Sequence, residues 1–353
     1  MSSTWGYVGV DAGQSRATIE DVAARAGVSI STVSRVVNGR YGVAPATLDR
    51  VKAAVVDLGF ETSLTARSLR SGRTNVIGVL VSDIEPFSAE VLKGIAHALR
   101  ESSYELIVYS GGHRHDDGWE QRYLSRLAGT LTDGAILLTP TVVEVATSKP
   151  VVAVDPHVGG SRMPTIDTEN FEGAIAATRH LVELGHRRIG FIGGRPDLES
   201  ARRREQGYRV ALAAAGIPVD PDLITSGDFT EEAAEGPAHQ LLSLAARPTA
   251  IFAANDLTAI QTIRTAVGLG LAVPHDLSIV GFDNIPESAL TDPPLTTIDQ
   301  SLHAVGREAV RALIELIGHP ERSDPSAGEP MHITLPTTLV VRQSCAAPRG
   351  ATS

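Results

Sequence analysis

The sequence predicts an α/β chain with a small N-terminal helix-turn-helix head, a polar hinge, and a larger two-lobed body of parallel sheets. Three observations predict it. Residues 18–58 hold three short helical patterns separated by turn residues. From Asn75 onward, short apolar strand runs alternate with helical patterns. Charge is unevenly divided: the first 75 residues carry nine Lys or Arg and six Asp or Glu, net +3, in a chain of 353 residues with net charge −10. A basic head on an acidic body suggests a nucleic-acid module joined to something else.

Residues 1–16 have no apolar periodicity and read as a disordered leader. The domain at 17–60 opens with Thr18 and Asp21, a capping-box signature. Ile19, Val22, Ala23 and Ala26 form the apolar face of the first helix, and Gly27 ends it. Ser29 caps a second helix with Val33, Val36 and Val37 inward, and Asn38-Gly39 stops it. Pro45 starts a third, with Leu48, Val51, Val55 and Leu58 as its stripe. Two short helices joined by a tight turn and braced by a third describe a helix-turn-helix.

Residues 61–74 are polar and basic, with isolated Leu64 and Leu69, too poor in apolar residues to fold alone. The body, 75–343, has strand runs at 76–81, 105–109, 134–138, 151–154, 189–192, 249–253 and 277–282. Helical patterns lie near 88–101, 117–127, 171–184, 202–215, 231–245, 256–269 and 301–317. Such apolar runs indicate parallel sheets covered on both faces, with ligand crevices at the carboxyl ends of the strands. The length favours two lobes, with 155–168 and 283–298 as crossings. Residues 344–353 read as a polar tail.

Several classes are excluded or weak. No apolar run reaches the ~18 residues of a membrane span, and residues 1–15 do not read as a signal peptide. The single Cys345 rules out a disulfide framework and suits the cytoplasm. His113, His115, Asp116 and Asp117 lack helical ligand spacing and read as a solvated loop rather than a metal site. Gly193-Gly194 is a weak phosphate-loop signal, without the flanking motif. No hydrolase or zinc-protease motif is present, so an enzyme is not expected, and no cofactor is implied.

The stretch Ala17–Gly39 (ATIEDVAARAGVSISTVSRVVNG) resembles the DNA-binding head of the lactose-repressor/galactose-repressor family of bacterial transcription regulators. Ala66–Val81 resembles that family's hinge and first body strand. Leu184–Gly194, Ala254–Ile260, Val273–Asn284 and Pro293–Gln300 match its body motifs in order and spacing. The resemblance covers about residues 17–343. It implies a body similar to periplasmic sugar-binding proteins, dimerisation, a small effector between the lobes, and heads that grip a palindromic operator. The chain lacks a leucine heptad after the body, so a dimer is expected.

Side chains at the exposed start of the second helix reach base edges in the major groove. By resemblance these are Ile30, Ser31 and Arg35. Arg35 can fork onto guanine, Ile30 can pack on a thymine methyl, and Ser31 can bond either way; the plainer role for Arg35 is phosphate contact. Thr18, Ser29, Thr32, Ser34, Asn38 and Tyr41 are phosphate or backbone ligands or, for Thr18 and Ser29, helix caps as well. Leu69 matches the lever leucine that wedges into the minor groove. Ser63 would cap the hinge helix, and Arg67, Arg70 and Arg73 supply charge.

A sugar pocket needs planar hydrogen-bonding groups and an apolar plate. Arg204, Asn255, Asp283 and Gln300 are the candidates from strand ends and crossings, with Asp83 and Asp155 from the first lobe and Phe87 and Phe229 as plates. Their ordinary roles are turns for Asp283 and Asn284, a salt-bridged helix for Arg204, and core for the phenylalanines. Phe87-Ser88 stands where purine-binding relatives carry two aromatics, which favours a neutral saccharide. The reading is a repressor of a carbohydrate-use operon, released by sugar. The alternatives are a regulator answering to a co-regulator protein or a nucleobase, and a solute-binding protein.

Overall fold

The computed structural model describes residues 17–37, 42–60, 73–111, 119–128, 131–319, 321 and 330–349. The chain divides into two compact units, Met1–Thr74 and Asn75–Ser353.

In the first unit, helices α1 (Ile19–Ala26), α2 (Ile30–Val37) and α3 (Pro45–Asp57) enclose Val22, Ala23, Ala26, Val33, Val51 and Ala54. The capping box forms: Thr18 Oγ1 accepts from Asp21 N at 3.3 Å, and Asp21 Oδ2 accepts from Thr18 N at 2.8 Å. Gly27 adopts φ 65°, a left-handed stop that costs a glycine little. Ser29 Oγ accepts from Thr32 N at 3.2 Å, capping α2. The resulting turn between α1 and α2 is tight enough for both to bury their stripes against α3.

The second unit has two lobes. The first is a six-stranded sheet in the order β11-β5-β4-β3-β1-β2, all parallel. Its strands are β1 (Val76–Val81), β2 (Glu105–Ser110), β3 (Gly134–Leu138), β4 (Val151–Val154), β5 (Thr165–Thr168) and β11 (His332–Leu335). Strands β1, β3 and β4 are buried along their whole length because helices cover both faces. Helices α4 (Pro86–Leu99) and α10 (Leu302–Gly318) pack on the Val79 and Val81 side, and α5 (Trp119–Ala128) on the Leu80 side.

The second lobe is a parallel sheet in the order β7-β6-β8-β9: β7 (Ile224–Ser226), β6 (Ile189–Gly193), β8 (Ala250–Ala253) and β9 (Ser278–Val280). Helices α6 (Asn170–Glu183) and α7 (Glu199–Ala214) cover the face bearing Phe191 and Phe252. Helices α8 (Glu231–Leu242) and α9 (Asp256–Gly268) cover the face bearing Ile192 and Ile251. Both sheets reverse their strand order in the middle, between β1 and β3 and between β6 and β8. Such switch points leave a crevice beyond the carboxyl ends.

Among the described residues the chain crosses between lobes three times. It leaves the first lobe between β5 and α6, returns between β10 (Thr297–Asp299) and α10, and leaves again between β11 and β12 (Thr338–Val340), which pairs antiparallel with β10. The expected crossing at 155–168 is corrected, since its last four residues are β5. The expected crossing at 283–298 is corrected too: that stretch holds a 3₁₀ turn, Pro286–Ala289, and runs into β10, and the crossing itself follows at 300–301. The third crossing was not anticipated, and neither was β7. These strands are three or four residues long and rich in Thr, and they are held by backbone pairing rather than by an apolar run.

The polar tail is also corrected. Ser344 is fully buried; its hydroxyl donates to Ile279 O at 2.6 Å and accepts from Thr296 N at 2.8 Å. His186 Nε2 donates to Ala346 O at 2.9 Å. Residues 344–346 thus lie against β9 as part of the second lobe. Polar composition reads as solvent-facing only when no backbone edge is waiting for partners.

Helices α4 and α10 cross closely at Gly94 and Gly306. A Cβ on Gly306 would stand 2.4 Å from Val91 O and 2.7 Å from Ile95 N, both backbone atoms that cannot step aside. Gly306→Ala is expected to lower unfolding stability by about 1–3 kcal/mol, the usual range for overpacking. Urea unfolding checks this, and an unchanged midpoint would show that the helices can separate freely.

Candidate functional site

In the first unit, the start of α2 presents Ile30, Ser31 and Arg35 outward, with Val33 as its buried anchor. Ile30 is 45% exposed, an uncommon place for a β-branched apolar side chain in so small a core. Ser29 Oγ lies 2.8 Å from Ser31 Oγ and 2.9 Å from Thr32 Oγ1, so the three hydroxyls form one polar cluster at the helix start. Thr18 and Ser29 act as caps, and Ser34 is half-buried. Asn38, Tyr41, Ser63, Arg67, Leu69 and Arg70 lie outside the described residues.

In the second unit, a cavity of about 290 Å³ opens between the lobes at both switch points. Of the effector residues expected from sequence, Phe87, Asp155, Arg204, Phe229, Asn255 and Asp283 line it. Asp83 and Gln300 do not. Asp83 is exposed, and its Oδ1 accepts from Ile84 N at 2.8 Å. Gln300 is buried behind Asp283 and donates from Nε2 to Asp283 Oδ1 at 2.6 Å. Gln300 therefore holds a lining residue instead of lining the cavity itself.

Arg204 is 3% exposed and almost fully engaged. Its Nε donates to Asn170 Oδ1 at 2.8 Å, and Nη1 donates to Ala254 O at 2.5 Å and to Asp283 Oδ1 at 3.4 Å. The guanidinium lies 3.9 Å from the Phe282 ring centre and 5.5 Å from that of Phe229. Aromatic faces suit a guanidinium taken out of water. The plain salt-bridged-helix reading of Arg204 is thus too simple, since its main anchors are a side-chain amide and a backbone carbonyl. The Phe229 ring covers Gly194, where a Cβ would stand 2.2 Å from the ring, which gives the Gly193-Gly194 pair a steric reason.

Asn255 has a structural task too. Its Oδ1 caps α9 by accepting from Thr258 N at 3.0 Å, and its Nδ2 donates to Phe229 O at 2.9 Å, leaving one N–H for the cavity. Ser88 closes a capping box with Glu85 at the start of α4. That engagement explains a hydroxyl beside Phe87.

Sequence reading missed several lining residues: Glu85, Trp119, Thr139, His157, Arg195 and Asp228 among them. Trp119 had a usable signal, being one of two tryptophans and standing at the start of a helix that follows a strand. Thr139, Asp155, Asp228, Phe229 and Asp283 share another trait: all have positive φ and line the cavity. Non-glycine residues in that region carry strain of about 1–3 kcal/mol each, and such strain gathers at ligand sites. Each lies just beyond a strand, where the chain turns its side chain into the crevice.

Two of the cavity's carboxyls are short of water. Burial, and next the charge of Asp167, push the Asp155 carboxyl up to about 7, against the pull of Arg204 and Arg203. Burial also raises Asp283 well above the ordinary carboxylate range, opposed by Arg204. A raised native pKa gives stability that is full below about pH 4 and lost as pH rises through about 7. Asp155→Asn cannot ionise and tolerates the left-handed backbone. Its stability relative to the parent is therefore expected to rise between pH 4 and pH 8, by up to about 4 kcal/mol. Urea unfolding at both pH values checks this; an equal difference at both would contradict the assignment.

Comparisons with known proteins agree with this architecture. The family described as bacterial regulatory proteins, lacI family, matches residues 18–63, and a periplasmic binding protein-like domain matches residues 178–345. The HTH-type transcriptional regulator CelR of Thermobifida fusca is 35% identical over 345 residues, 93% of this chain and 98% of that protein. The HTH-type transcriptional repressor CytR of Escherichia coli K12 is 36% identical over 309 residues, 86% of this chain and 90% of that protein. Among solved structures, the lac repressor dimer bound to operator and the anti-inducer ONPF superposes with a TM-score of 0.80 at 27% identity, covering 94% of this chain and all of that one. A CelR–cellobiose complex gives 0.68 at 34% identity, covering 93% of this chain and all of that one. With the head matched directly and full-length relatives above 30% identity, the chain belongs to the lacI family of bacterial transcriptional regulators.

Proposed function

We propose that this chain represses a carbohydrate-use operon, grips a pseudo-palindromic operator as a dimer, and is released when a neutral saccharide fills the cleft. The observation that carries the ligand reading is the buried Arg204–Asp283 pair beside a cavity walled by Trp119, Phe87 and Phe229. Arg204 Nη2 and Asp283 Oδ2 have no protein partner among the described residues. A planar donor next to a carboxyl oxygen grips vicinal hydroxyls, and aromatic rings take the C–H faces of a pyranose. With Asp155 and Asp283 pushed toward the neutral form, Glu85 and Asp228 still match Arg195 and Arg204 in the lining, so no net positive charge is left for a phosphorylated sugar. The CelR–cellobiose complex supports a saccharide, and the operator-bound lac repressor dimer supports the assembly.

On this reading the protein is a cytoplasmic regulator and not an enzyme. Ile30, Ser31 and Arg35 read bases, while Thr18, Ser29, Thr32, Ser34 and Asn38 hold the DNA backbone. Leu69 wedges the minor groove, and Asp283, Arg204, Asn255, Asp155, Phe87 and Phe229 meet the sugar. Among the described residues no helix is long and apolar enough to cross a membrane.

Fluorescence anisotropy on an operator selected from random DNA tests both ends. Arg35→Ala is expected to weaken operator binding by about 1–3 kcal/mol while changing random DNA little; equal weakening on both would make Arg35 a phosphate ligand. Titration with cellobiose, maltose, glucose 6-phosphate and hypoxanthine is expected to release operator only with a neutral sugar. The same sugar should fail on Asp283→Ala, which keeps its DNA affinity. Release by the phosphate or the nucleobase alone would overturn the saccharide reading.

A further inference from the structure

Five side chains behind the cleft form a closed hydrogen-bonded ring. Thr168 Oγ1 donates to Gln300 Oε1 at 2.5 Å, and Gln300 Nε2 donates to Asp283 Oδ1 at 2.6 Å. Arg204 Nη1 donates to the same Oδ1 at 3.4 Å, and its Nε donates to Asn170 Oδ1 at 2.8 Å. Asn170 Nδ2 closes the circuit on Thr168 Oγ1 at 3.5 Å and also donates to Thr168 O and Asp167 Oδ1, both at 3.3 Å. The bonds run as two arms from Arg204, one direct and one through Asn170, Thr168 and Gln300, and both end on Asp283 Oδ1. None of the five residues is more than 4% exposed.

The ring also has a place in the chain path. Thr168 and Asn170 stand at the first crossing between the lobes, and Gln300 stands at the second. Arg204 and Asp283 belong to the second lobe and line the cavity. Thr168, Asn170 and Gln300 do not line it. The geometry points to a positioning role for these three residues: the ring fixes the orientation of Arg204 and Asp283 from the two crossings. A lobe rotation that parts the crossings must open the ring and turn the binding pair. Ligand grip and lobe arrangement are then read by the same side chains, which is what a coupling element requires.

Buried networks of this kind act as units, so removal of one member costs much of what removal of two does. The test rests on the saccharide reading only for its probe. In full-length chain carrying Trp5→Phe, Trp119 is the sole tryptophan and reports cleft occupancy by cellobiose. Thr168→Val keeps the shape and loses the hydroxyl, and is expected to weaken cellobiose binding about 10-fold. Thr168→Ser keeps the hydroxyl and should bind as the parent does. Asn170→Ala and Gln300→Ala should each weaken binding about 10-fold, and the double variant by no more than about 3-fold beyond the worse single. A double variant weakened by the product of the two, or Thr168→Val binding as tightly as Thr168→Ser, would overturn the ring. Failure of cellobiose to bind the parent would instead count against that ligand. Urea midpoints of the same proteins would then decide the ring: a double shift smaller than the two singles combined supports it, and additive shifts overturn it.

Discussion

Arg204 and Asp283 leave water together, and much of the body is arranged to make that tolerable. Burying a guanidinium and a carboxyl is unfavourable unless other dipoles replace the lost water. Here Ala254 O, Asn170 Oδ1 and the Phe282 face attend the guanidinium, while Gln300 Nε2 attends the carboxyl. Those partners come from the end of β8, the start of α6, the segment after β9 and the crossing after β10, so the pair is held from the second lobe and the crossings. Breaking a pair of this kind by removing one partner costs about 3–5 kcal/mol in typical proteins.

The cleft also concentrates strain and unfavourable charge. Positive-φ residues cluster there, and burial disfavours ionisation of Asp155 and Asp283. Asp256, just behind, is raised to about 7 by burial although Thr297 Oγ1 and Ile285 N bond to it. Asp155 and Asp283 line the cleft, where a ligand can complete their hydrogen bonds; Asp256 lies behind it with both oxygens already bonded. The opposite is true of the flanks: β1, β3 and β4 are wholly apolar and buried, and α4 and α10 meet through glycines. A firm scaffold thus carries a deliberately uncomfortable centre.

Legibility in the sequence followed the same division. The apolar runs at 76–81, 134–138 and 151–154 became strands with those bounds, because burial on both faces leaves a continuous signal. The head's caps were readable since Thr18, Gly27, Ser29 and Pro45 each do a local job. Strands β5, β7 and β12 were not, because they are short, polar and defined by neighbours distant in sequence. Arg204, Asp283 and Asn255 were found through strand ends and family resemblance. Trp119 and Asp228 were missed: which loop residues meet across a cleft depends on the packing of two lobes. Gln300 was assigned to the cavity because its position in sequence shows proximity to Asp283, while only coordinates show which of them faces the ligand.

A neutral saccharide held by the Arg204–Asp283 pair between aromatic walls would join the cleft's chemistry to its geometry. A crystal structure of the full-length chain with cellobiose tests it most directly. One pyranose is expected with adjacent hydroxyls on Arg204 Nη2 and Asp283 Oδ2, its C–H face against Trp119, Phe87 or Phe229, and the pair still joined to Asn170 and Gln300. A sugar lodged elsewhere, or one in the cleft that touches neither Arg204 nor Asp283, would contradict it.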